Sequence, residues 1–107
     1  MKEFEIAAPA AAGVCALEAL LPGVCAAEGL RITLDDSLAA YPGSRHWHLK
    51  LARLPGTLEL TCWPASNRIW LSIRAGRTAA WAEEAAPRLC SVLEEALKSV
   101  SADHSIP

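Results

Sequence analysis

The sequence predicts an α+β domain. An antiparallel sheet of four to five strands, in the order β-α-β-β-β-β-α, carries both helices on one face. Three observations predict it. Four consecutive stretches between residues 30 and 75 alternate apolar and polar side chains with period two, the mark of strands with one buried face. Two flanking stretches repeat apolar residues at helical spacing. Gly- and Pro-bearing turns separate the strands, as antiparallel neighbours require. The 107 residues suit one domain, placed at 1–100 with a flexible tail at 101–107.

The elements follow in order. Lys2 to Ile6 alternates, with Phe4 and Ile6 on one side, and reads as an edge strand. Pro9 suits the first turn of a helix whose stripe is Val14, Leu17, Leu21, Val24 and Cys25. Pro22-Gly23 kinks or splits that helix, and Gly29 stops it. Leu30, Ile32 and Leu34 then face the core, opposite Arg31 and Thr33, and Asp35 to Gly43 forms a loop.

In the next strand Trp47, Leu49 and Leu51 point in, while His46, His48 and Lys50 point out. After a Leu-Pro-Gly turn, Leu58, Leu60 and Cys62 point in, and Thr57, Glu59, Thr61 and Trp63 out. Pro64 to Asn67 is a turn. Beyond it Ile69, Leu71, Ile73 and Ala75 point in, and Arg68, Trp70, Ser72 and Arg74 out. That turn sets Trp63 opposite Arg68, Thr61 opposite Trp70, and Glu59 opposite Ser72; the turn before it leaves His48 beside Thr61 or Trp63. Thr78 is the expected N-cap of a last helix striped by Trp81, Ala85, Leu89, Val92, Leu93, Ala96, Leu97 and Val100, interrupted by Pro87.

Composition narrows the function classes. The net charge of −2 gives no bulk support for nucleic-acid binding. Cys15, Cys25, Cys62 and Cys90 match no zinc spacing and read as buried reduced thiols. The start of the chain carries Glu3 and Glu5 where a signal peptide is basic, and no stretch is long and apolar enough to span a bilayer. The expectation is a cytoplasmic protein.

With both helices on one face, the other face of the sheet is expected to be open. It displays Trp63, Trp70, His46, His48, Lys50, Arg68, Arg74 and Thr61, with Arg68 able to stack on Trp63. Trp and Arg dominate protein interfaces, so the first reading is a non-catalytic interaction domain, self-associating as a homodimer or binding a protein partner through these residues. An alternative is single-stranded nucleic acid stacked on the same face. A further alternative is a metal site or small metalloenzyme. His46 and His48, at i and i+2, point to one side and can share an ion, but a site needs three or four ligands. Glu59, Asp35, Asp36 or a second chain are the available donors. Glu59 with His48 offers an acid–base pair, and the loop at Tyr41 to Arg45 can close a pocket beside it. No catalytic signature stands in the chain; no catalytic residue, metal or cofactor is assigned from sequence.

Overall fold

Five strands form one antiparallel sheet in the computed structural model, which describes residues 1–7 and 14–104. They are β1 (Lys2–Ile6), β2 (Leu30–Asp36), β3 (Arg45–Leu51), β4 (Leu58–Trp63) and β5 (Arg68–Ile73), in the spatial order β1-β5-β4-β3-β2. The helices are α1 (Val14–Ala27), between β1 and β2, and α2 (Ala80–His104), after β5. The fold is the predicted α+β arrangement, with β1 at an edge. The expected helix start at Pro9 and the end of the expected tail, 105–107, lie outside the described residues, as do the side chains of Val14, Cys15 and Val100. Helix α2 continues past residue 100 to His104.

One core lies between the helices and the sheet. Leu17, Leu21 and Cys25 of α1 and Ala82, Ala85, Ala86, Leu89, Leu93 and Leu97 of α2 meet Trp47, Leu49, Leu60, Cys62, Ile69, Leu71 and Ile73. Each fully buried leucine in this layer contributes about 1.5–3 kcal/mol relative to exposure. Helix α1 packs on β2 and α2, while α2 packs on β1 and β5. Pro22 and Pro87 sit inside continuous helices. Both are exposed, so water can serve the backbone carbonyl that each proline leaves unpaired.

Four local expectations are corrected. Leu34 does not join the core; it is 38% exposed. A bulge between Ile32 and Leu34 pairs Ile32 with Leu49 but Leu34 with His48, so the strand changes face within two residues. Thr78 is not the cap of α2, which starts at Ala80 with the Glu83 N–H donating to Ala79 O. The turn before β4 is also longer than its Leu-Pro-Gly signal. Residues 52–57 form the connection, with Ala52 at φ 50° and Gly56 at φ 101°. Here the Trp81 indole donates to Pro55 O (2.8 Å) and the Thr57 N–H to Arg77 O (3.2 Å), tying the connection under the start of α2. This length sets the register of β3 on β4: His46 pairs with Thr61 and His48 with Glu59. The predicted register of β4 on β5 stands, with Trp63 opposite Arg68 and Thr61 opposite Trp70.

The fourth correction concerns the second face of the sheet, which is not open. The β2–β3 loop folds back across it, placing Tyr41 against Trp63 (ring centroids 4.9 Å) and Trp70 (5.4 Å). The loop is pinned at both ends: the Leu38 N–H donates to Ser44 Oγ (3.1 Å), and the Trp63 indole donates to Pro42 O (3.1 Å). Loop residues follow no period, so strand patterning could not forecast this cover.

Candidate metal centre

Beneath the loop cover lies a row of polar side chains that strands of alternating pattern point away from the core. Leu58 and Leu60 face the helices, so Glu59 between them faces the loop. Trp47 likewise turns His46 and His48 to the same side. The β3–β4 register then brings both imidazoles to the carboxylate.

The three groups converge. His46 Nε2 lies 3.0 Å from Glu59 Oε1, His48 Nε2 lies 3.1 Å from His46 Nε2, and His48 Nε2 lies 3.5 Å from Glu59 Oε1. Among the described residues they form a group with metal-ligating potential. Glu59 is 1% exposed and His46 4%, while His48 is half-buried. The outer ring nitrogen of His46, Nδ1, is 2.8 Å from Thr61 Oγ1. Glu59 Oε2 has the Arg74 Nε at 3.1 Å, but the N–H is not aimed at it, so this buried oxygen accepts no hydrogen bond.

The electrostatics favour neutral imidazoles. Burial pushes the His46 pKa down, more than the Glu59 carboxylate holds it up. The same balance lowers His48, helped by His46 itself and by the charges of Arg77 and Arg74. Neutral imidazole is the form that binds metal.

A cavity of about 100 Å³ opens beside the triangle. Its lining includes His46, Glu59 and Ser72 on the floor, Leu38 and Tyr41 from the loop, and Arg74 at the exposed rim.

The residues expected on an open face divide into three groups. His46, His48, Thr61 and Arg74 come together at the triangle. Trp70, 4% exposed, and Trp63 are held by Tyr41, and Arg68 stacks over Trp70 (4.1 Å to the ring centroid) rather than over Trp63. Arg68 is also engaged by Glu5 and Glu3. Lys50 pairs in register with Arg31 near the end of β3 and does not join the cluster. Glu59, Tyr41 and Ser72 are not among the residues expected to bind a partner; Glu59 is expected only as an available metal donor and an acid–base mate of His48, and Tyr41 only as the start of a loop able to close a pocket. Glu59 carried a usable signal, a charge in mid-strand between two inward leucines. Of the two histidines expected on an exposed face, His46 is buried at the centre of the site and His48 borders it.

No protein-family model, curated protein or solved structure matches this chain.

Proposed function

We propose that this domain binds one divalent first-row transition-metal ion through His46 Nε2, His48 Nε2 and Glu59 Oε1. The observation that carries the reading is the triangle of donor atoms with sides of 3.0, 3.1 and 3.5 Å. An ion about 2.1 Å from each of its ligands needs them about 3.0 Å apart at octahedral angles and about 3.4 Å apart at tetrahedral ones. The observed sides span that interval.

The surroundings support the same reading. In the tautomer whose Nδ1–H donates to Thr61 Oγ1, His46 Nε2 carries a lone pair toward Glu59, and a cation between them turns repulsion into attraction. Arg74, with Nε 3.1 Å from Oε2, adds a compensating charge beside the carboxylate from outside the triangle. Two imidazoles and a carboxylate suit zinc or iron(II), and three protein ligands leave positions open, as in catalytic rather than closed structural sites. His46 and Glu59 also line the neighbouring cavity, while His48 does not. The interaction and oligonucleotide readings need available indoles, and the cover over Trp63 and Trp70 favours the metal reading over both.

The test is equilibrium dialysis of chelator-stripped protein against zinc, with metal read by elemental analysis. One ion per chain is expected, falling at least about 100-fold in affinity for His48→Gln and Glu59→Gln. His48 is half-buried, so its variant keeps the fold even where a change at Glu59 does not. Wild-type protein that retains no stoichiometric ion overturns the proposal, as does a His48→Gln variant that binds as well as wild type.

A further inference from the structure

The cations of the chain divide into two sets. Lys2, Arg45, Arg68, Arg74, Arg88 and Lys98 each lie within ion-pair distance of a carboxylate. Arg31, Lys50, Arg53 and Arg77 take part in no ion pair among the described residues. The 52–57 connection gathers these four at one end of the sheet. Lys50, near the end of β3, stands directly opposite Arg31 of β2. Arg31 Nε and Nη2 donate to Ala52 O at 3.0 and 2.8 Å, which holds the guanidinium against the connection. Arg53 is exposed within it, and exposed Arg77 borders it where the Thr57 N–H donates to Arg77 O. Like charges directly opposite on neighbouring strands repel, so the Arg31–Lys50 pair does nothing for the fold.

The connection also carries an apolar tip. Leu54 is 48% exposed, between exposed Arg53 and Pro55. Its N–H donates to Leu51 O (3.1 Å), so the leucine closes a tight turn at the surface instead of reaching the core.

Acids at this end leave the positive charge in excess. Glu28, Glu59 and Glu83 are paired with Arg88, Arg74 and Lys2, and Glu84, early in α2, remains against four free cations. Asp35 and Asp36 stand at the other end of β2, about 13 Å or more from Arg31 at strand spacing. That exceeds the screening length of about 8 Å at physiological ionic strength. The net charge of −2 therefore coexists with a cationic end.

We propose that the 52–57 connection docks on an anionic bilayer surface, with Arg31, Lys50, Arg53 and Arg77 among the headgroups and Leu54 at the acyl boundary. The protruding leucine selects this partner. A bilayer interface takes cations at the headgroups and an apolar side chain just below them. Single-stranded nucleic acid takes the cations but stacks its bases on aromatic rings. Trp81, the ring beside this connection, is half-buried with its indole N–H bound to Pro55 O. The docking residues are separate from His46, His48 and Glu59, so this proposal stands or falls independently of the metal reading.

The experiment is co-sedimentation of the full chain with sucrose-loaded vesicles of about 30% phosphatidylserine in phosphatidylcholine, at about 0.1 M salt. Each cation near such a surface contributes about fivefold in partitioning. Four cations and a partly inserted leucine give a partition coefficient on the order of 10³–10⁴ M⁻¹, half-saturated at about 0.1–1 mM accessible lipid. Binding should vanish on pure phosphatidylcholine and at about 0.5 M salt. Arg53→Gln and Arg77→Gln should each weaken it about fivefold, and the double variant about 25-fold. Leu54→Ser should weaken it about fivefold or more. Lys98→Gln, which removes a paired cation of α2, should leave it unchanged. The replaced side chains at 53, 54 and 77 are exposed, and circular dichroism checks that each variant keeps the fold.

Failure of the wild-type protein to sediment with phosphatidylserine vesicles overturns the proposal, as does equal binding to pure phosphatidylcholine. An Arg53→Gln, Arg77→Gln double variant or a Leu54→Ser variant that partitions like wild type also overturns it. A fluorescent single-stranded oligonucleotide bound more tightly than the vesicles, and equally by Leu54→Ser, would assign the cations to nucleic acid instead.

Discussion

Replacing Glu59 with glutamine separates a metal ligand from a structural carboxylate, because the two roles predict opposite changes in the metal-free protein. Glu59 is 1% exposed and stands 3.0 Å from His46 Nε2. If the carboxylate exists to accept a charge-assisted hydrogen bond from His46, its loss destabilises the fold by about 1.5–3 kcal/mol. If it exists to hold a cation, the metal-free protein carries a buried charge without its intended partner. Glutamine has the same shape and no charge, so the metal-free variant should be as stable as wild type or more stable by about 1 kcal/mol.

The metal-bound state should show the reverse. At a free zinc concentration 100 times the dissociation constant, binding stabilises wild type by about 2.7 kcal/mol, or roughly 10–20 °C in melting temperature for a domain of this size. A 100-fold weaker variant retains only about 0.4 kcal/mol at the same zinc concentration. Thermal melts followed by circular dichroism, with chelator and with buffered zinc, read both quantities from one preparation. A Glu59→Gln protein that melts lower than wild type in chelator, yet gains as much from zinc, would show that Glu59 is a structural carboxylate and not a metal ligand.

Four further outcomes follow from the structure. Gly56→Ala should cost at least about 2 kcal/mol in urea unfolding, because φ is 101° and the added Cβ lies 2.5 Å from Ala79 Cβ. Tyr41→Ala should red-shift the tryptophan fluorescence and admit acrylamide to Trp70, which Tyr41 now covers edge-on; an unchanged spectrum would mean the loop does not hold that ring. In chelator, stability should fall as pH drops below about 6.5, since the unfolded histidines take up protons there while burial holds His46 and His48 below that value. The urea midpoint against pH checks the sign, and His48→Gln should show a smaller fall. Cys25, Cys62 and Cys90, with thiols pushed up to about 11, should resist iodoacetamide at pH 8 until the protein is unfolded.

Periodicity was enough to read the sheet, the helices and the direction of nearly every strand side chain. The alternation around Trp47, Leu60 and Leu71 has one physical solution once two amphipathic helices must be covered. The site was half legible. His46 and His48 were placed on one side, but their acidic neighbour depended on the β3–β4 register. That register follows from six loop residues, two of them at positive φ, and not from the strands they join. The same limit hid the Thr33 bulge that turns Leu34 outward. It also hid Tyr41, whose contacts with Trp63 and Trp70 link segments far apart in the chain. A loop carries its information in single turns and contacts, which composition lists but does not connect.

X-ray absorption at the zinc edge of stoichiometrically loaded wild-type protein reads the ion's ligand set. An ion held by His46, His48 and Glu59 gives a first shell of nitrogen and oxygen at about 2.0–2.1 Å, with outer-shell scattering from two imidazoles and no sulfur. A sulfur shell at about 2.3 Å, or a shell of light atoms without imidazole scattering, would place the ion elsewhere and contradict that ligand set.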